Sequence, residues 1–251
     1  MGTGIAKVIA GIDLASLDER TATCRITWRD GRVIADDPVL GASDPDLREL
    51  IEVSDKVGID IPLGWPSIFV QAISAHHSHR PWPEVPEHDQ RLRYRATDFV
   101  VRQETGRWPL SVSSDLIAVP TLRAARLLSG MDFDRSGEGK LVEVYPAAAL
   151  RRWHLPPTGY KRSAGSSARQ RLVDQFATIT TQWLVLSSAG WRACQASDDA
   201  FDALIAALVA LAKANDRCDP IPTEHQAEAR AEGWIALPDS DCLEDLPLRP
   251  A

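Results

Sequence analysis

The sequence predicts an α/β fold in which helices flank a central mixed sheet. Three observations predict it. Residues 7–12 (KVIAGI) and 57–61 (VGIDI) are short apolar runs rich in β-branched side chains, the composition of buried strands. A helical stretch lies between them, and a helical crossover makes two such strands parallel. Ala22, Cys24, Ile26 and Trp28 alternate with polar residues and are followed by Asp30-Gly31, which predicts an antiparallel hairpin with one buried face.

Taken in order, the first strand ends at Asp13, and residues 32–35 return after the Asp30-Gly31 turn. Asp44-Pro45 reads as an N-cap followed by proline at the first helical position, and Leu47, Leu50 and Ile51 follow at helical spacing. Pro62 stops the strand at 57–61. From 62 to about 140 the chain is rich in proline and arginine, with PLGWP and RPWPEVPEH. That stretch is expected to be an irregular insertion within one domain spanning 1–251. Inside it, 91–103 is partly helical and 121–128 is a short helix closed by Gly130. Residues 140–145 form another strand, Pro146 opens a helix to Trp153, and 167–181 is an amphipathic helix.

The helix at 197–213 (SDDAFDALIAALVALAK) starts at Ser197, a good N-cap. Phe201, Leu204, Ile205, Leu208 and Leu211 make one bulky face, while Asp199, Asp202, Ala203, Ala206 and Ala210 make a small one. Alanine lets another backbone approach closely, so both faces are expected to be buried. The two acids either complement the positive end of the helix dipole or belong to a site there. A short terminal strand is expected from Glu232 onward.

The 251 residues suffice for one large domain, and 44% hydrophobic with 25% charged residues is the balance of a folded globular chain. No apolar run is long enough to span a bilayer, no secretory pattern opens the chain, and four scattered cysteines lack zinc-ligand spacing. A cytoplasmic protein with free thiols and no membrane partner is expected. The net charge of −7 argues against non-specific nucleic-acid binding by the whole surface. Yet residues 76–171 hold 16 Lys/Arg against 10 Asp/Glu, so the middle is basic and the flanks acidic. A basic insertion beside an acidic cluster suits a nucleic acid or other phosphodiester substrate.

Four carboxylate positions stand out: Asp13, Asp60, Glu143, and the Asp199/Asp202 pair. Asp60 and Glu143 lie inside apolar runs, where a carboxylate needs a partner, a metal or solvent. Crowded carboxylates repel one another unless a cation neutralises them, and oxygen-only ligands suit Mg²⁺ or Mn²⁺. Two such ions about 4 Å apart activate a water and stabilise the leaving oxygen of a phosphodiester. Asp13, Asp60, Asp199 and Asp202 are the expected catalytic acids, and Asp13, Asp60, Glu143 and Asp202 the expected metal ligands. Arg95, Asp98 and Arg102 share a helical face, either as a surface ion pair or as an arginine clamp for phosphate held by Asp98, with Lys161 as a further phosphate ligand. His76, His77, His79 and His88 fall in a proline-rich loop and are expected to be exposed rather than metal-bound.

GIDLA at 11–15, GIDIPLGWP at 58–66, RATDFVVR at 95–102, EVYPAAAL at 143–150, DDAFDALIAAL at 198–208 and EGWIALP at 232–238 resemble the landmarks of the family called domain of unknown function 429. That family is described as predicted nucleases of the RNase H-like fold, and the DxxDA element is similar to RuvC-type resolvases. The resemblance implies an RNase H-like sheet whose first three strands are antiparallel. It implies that Asp13 is the first-strand acid touching both metals. Asp60 takes the place of the acid after the first crossover, and Asp202, with Asp199 near it, that of the acid on the C-terminal helix. Glu143 and the RATD segment have no counterpart in RuvC. The expected activity is metal-dependent hydrolysis of phosphodiester bonds. An actin-like nucleotide hydrolase or phosphotransferase, or a non-catalytic binding module, are the alternatives; GIDLAS lacks the glycine a phosphate clamp would want.

Overall fold

A computed structural model describes residues 7–84 and 88–248. Strand β1 (Lys7–Asp13) runs through the middle of the sheet, as its apolar residues on both faces require. Strand β2 (Ala22–Arg29) pairs with it antiparallel and alternates, with Ala22, Cys24 and Ile26 buried. Asp30 and Gly31 turn the chain with φ of 50° and 77°, the left-handed pair a tight hairpin needs, into β3 (Arg32–Ala35). The two-residue β4 (Val39–Leu40) folds back onto β2. Helix α1 (Asp44–Val53) then crosses over, and β5 (Lys56–Asp60) returns parallel to β1. The cap of α1 is Ser43, one residue before the expected Asp44: Ser43 N donates to Asp46 Oδ2 at 2.9 Å, so Asp44 and Pro45 are helical.

The stretch expected to be irregular holds four helices: α2 (Ser67–His77), α3 (His88–Arg93), α4 (Ala96–Thr105) and α5 (Ala118–Leu127). Of these, α4 and α5 are the two expected in outline. Helix α2 has no local start signal. Its Ser67 N–H donates to Glu232 Oε1 at 2.8 Å, and Glu232 Oε2 accepts from Ala96 N at 3.0 Å at the start of α4. One distant carboxylate thus satisfies orphan amides of two helices, a cap no local window reveals. His76 and His77 close α2 and are exposed, and His79 follows it.

Strand β6 (Leu141–Glu143) pairs parallel with β5, and α6 (Pro146–Arg152) follows. Then come α7 (Ser166–Thr180), the two-residue β7 (Leu184–Val185), α8 (Ser188–Ala196), α9 (Asp198–Ala214) and α10 (Gln226–Glu232). The sheet has seven strands in the order β6-β5-β1-β2-β3-β7, with β4 beside β2. The expected terminal strand reduces to two isolated bridges, Ile235 with Glu143 and Pro238 with Cys218, and Glu232 ends a helix instead.

Leu47 and Ile51 of α1 and Ala124 and Leu127 of α5 cover one sheet face, against Ala10, Ile12, Val57 and Ile59. Helix α9 lies on the other face and is buried without a break from Ala200 to Ala212. Its bulky side packs away from the sheet: Phe201 meets Phe176 of α7 edge-on at 5.5 Å. Each fully buried Leu, Ile or Phe there contributes about 1.5–3 kcal/mol. Among the described residues no helix is long and apolar enough to cross a membrane. The four cysteines are free thiols.

Candidate active site

Strands β1 and β5 both end in Gly-Ile-Asp, and their parallel register sets Gly11 beside Gly58 and Asp13 beside Asp60. Side chains two residues apart share a face, so both aspartates project from the face that both glycines clear. Helix α9 occupies that clearing. A Cβ on Gly11 would stand 2.0 Å from the Ala203 carbonyl oxygen, and one on Gly58 would stand 2.1 Å from that of Ala206. Asp202 lies one turn before Ala206, so the close contact carries it toward the two strand ends. Three carboxylates far apart in sequence are brought into electrostatic reach of one another: Asp60 and Asp202 both raise the pKa of Asp13.

Asp202 is 1% exposed. Its Oδ1 accepts a hydrogen bond from Tyr160 Oη at 2.8 Å. Lys161 Nζ stands 2.7 Å from Oδ2, a buried oxygen whose one close polar partner is this ammonium. Asp199, expected in the cluster, instead takes a two-pronged pair from Arg20 at the rim, at 2.7 and 2.9 Å. Asp198 accepts from Arg162 N at 3.1 Å.

The electrostatics follow from burial of like charges. Burial, then the charges of Asp60 and Asp202, push the Asp13 carboxyl well above its usual range. Burial pushes Asp60 up to about 7; Lys161 opposes the shift, while Asp202 and Glu143 add to it. Asp202 is raised by burial against the pull of Lys161 and the Tyr160 hydrogen bond. Burial works against the Lys161 ammonium, but Asp202 and its neighbours outweigh it and hold the proton more firmly than usual. The Lys161 side chain is still 48% exposed, so solvent screens part of that attraction. Asp60 and Lys161 open into a cleft of about 110 Å³, narrowed by Tyr145, Pro109 and Leu110.

The RATD segment forms a second cluster behind this one. Arg95 is 1% exposed, and all five of its side-chain donors are used: Asp98 takes two, Glu143 two, and the Glu232 carbonyl one. Glu143 Oε2 also accepts from Leu63 N at 2.9 Å. Gly233, at φ +94°, leaves room for that carboxylate, since a Cβ would come within 2.6 Å of it. Arg95 and Asp98 are therefore not free to clamp phosphate, and Glu143 spends both oxygens on Arg95 rather than on a metal. Arg102 is exposed on α4, 6.0 Å from the Trp108 ring centre and outside the cleft. Among the described residues no group of three or more His, Cys, Asp or Glu side chains is arranged to hold a metal ion.

Sequence reasoning missed Tyr160, Arg20 and the two glycines. The repeated GID at 11–13 and 58–60 was the available signal for the glycines; nothing local marks Tyr160 or Arg20.

The family described as "protein of unknown function (DUF429)" matches residues 11–227. The chain belongs to that family. The span shared with the DUF429 family takes in Asp13, Asp60, Lys161 and Asp202, and ends before Glu232. Neither the curated proteins nor the solved structures gave a match.

Proposed function

We propose that this DUF429 member is a metal-dependent hydrolase of phosphodiester bonds, a nuclease on an RNase H-like frame. The observation that carries it is the meeting of Asp13, Asp60 and Asp202 at the ends of two parallel strands and one helix, with one Asp202 oxygen held only by the partly exposed Lys161. The donor set suits Mg²⁺ or Mn²⁺. It is all oxygen, and Mg²⁺ usually takes one or two carboxylates and completes its shell with water and phosphate oxygens, so an open site fits better than a closed cage. Two of the three acids Asp13, Asp60 and Asp202 would hold the ion, which when bound supplies water activation and charge relief for the leaving oxygen.

The chain's own groups do the rest. Tyr160 fixes the orientation of Asp202. Lys161, which lines the cleft, presents positive charge to an anionic substrate. The narrow opening under Leu110 favours an extended single strand or a small diester over an intact duplex.

The test is hydrolysis of bis(4-nitrophenyl) phosphate and of a labelled single-stranded oligonucleotide, with Mg²⁺, Mn²⁺ or EDTA. Activity is expected only with the divalent ion, and Asp60→Asn is expected to lower it about 10²-fold or more. Equal activity in Asp60→Asn, or full activity in EDTA, would refute the proposal.

A further inference from the structure

Lys161 does more than line the cleft. Its ammonium stands 2.7 Å from Asp202 Oδ2, a buried oxygen that Tyr160 leaves free. Asp60 lines the same cleft as this ammonium and is paired in register with Asp13. A single positive charge thus offsets three carboxylates.

The backbone that delivers this charge is clamped. Arg169 Nη1 donates to the carbonyls of Tyr160 and Arg162 at 2.7 and 3.1 Å, one residue on each side of Lys161. Gly165 packs so closely that a Cβ would fall 2.5 Å from the Tyr160 carbonyl carbon. Arg162 N is tied to Asp198. Held this way, Arg162 adopts φ 62° and ψ −178°, a region that glycine enters and other residues avoid. The backbone is therefore fixed against its preference in the conformation that sends Lys161 inward. The Lys161 side chain, 48% exposed at the mouth, is free to leave without moving that backbone. Tyr160 keeps Asp202 oriented by its other oxygen meanwhile.

We infer that Lys161 is a built-in counterion of the carboxylate cluster, and that an entering divalent cation must displace it. The inference rests on the reading of the cluster as a metal site and adds that metal affinity is set by competition with this ammonium. A divalent ion brings twice the charge to the same oxygens, which decides the exchange in its favour.

The test measures Mn²⁺ binding to the full chain by the electron paramagnetic resonance signal of free Mn²⁺, with no substrate present. Lys161→Met and Lys161→Gln, both checked by melting curves, are expected to bind Mn²⁺ at least about tenfold more tightly than wild type. Asp202→Asn is expected to bind weakly with or without the lysine. Equal or weaker Mn²⁺ binding by the Lys161 variants would overturn the inference and leave the metal site standing. An absence of Mn²⁺ binding by every protein would overturn both. In wild type carrying ¹³C-dimethylated lysines, Mg²⁺ is expected to shift the Lys161 resonance, and a resonance that stays put would contradict displacement.

Discussion

Asp60 shows how a single residue reports on the site. Its carboxyl titrates near 7 in the folded chain, against about 4 when unfolded. Between those values the folded state keeps a proton that the unfolded state has lost. Stability from this group is therefore complete below about pH 4 and is lost as the pH rises through about 7. Asp60→Asn removes the buried charge. In metal-free buffer at pH 8 the variant is expected to be more stable than wild type by about 2 kcal/mol, with the gap closing toward pH 4. Thermal melts across that range check it, and a variant less stable than wild type at pH 8 would show that Asp60 is stabilised by partners, not strained by burial. The sequence made Asp60 legible because a carboxylate inside VGIDI needs a partner, a metal or solvent. Glu143 was equally legible as a buried acid, but its partner Arg95 lies 48 residues away in sequence, so its role was not.

At the scale of elements, the contact between α9 and strands β1 and β5 organises the rest. The alanine face of the helix was readable from its spacing, and so were its cap and its burial. Its partner was not read, although the two GID segments carry it: strands that a backbone crosses need glycine at the crossing. Gly58→Ala places a methyl 2.1 Å from the Ala206 carbonyl oxygen, so helix and sheet must part. A loss of about 3 kcal/mol is expected in urea unfolding, at the upper end of ordinary overpacking. A loss under about 0.5 kcal/mol would mean the helix rides higher on the sheet than described. Displacement of α9 would also carry Asp202 away from Asp13. Helix α2 escaped the sequence for the opposite reason: the carboxylate of Glu232 caps its start from far along the chain.

Over the whole molecule, the basic middle and acidic flanks find one another. Arg123 pairs with Asp18 and Asp44, Arg152 with Glu104 and Asp219, and Arg169 binds four backbone carbonyls. Much of the charge asymmetry in the sequence is thus spent on internal ties, which composition alone could not distinguish from a substrate surface. Arg95 is the deepest of these, joining α4 to β6 and to the end of α10. Arg95→Met leaves Asp98 and Glu143 buried without their cation and is expected to cost about 3–5 kcal/mol, read by denaturant unfolding; a near-neutral change would show that the two acids simply take up protons. The strand order, the parallel β1–β5 pair and the convergence of Asp13, Asp60 and Asp202 are what make a catalytic reading of this frame possible. Anomalous scattering from crystals soaked in Mn²⁺ tests that convergence most directly. A peak within coordination distance of at least two of Asp13, Asp60 and Asp202, with Lys161 turned outward, is predicted. A well-ordered site with Lys161 still against Asp202, and manganese found only elsewhere or not at all, would contradict it.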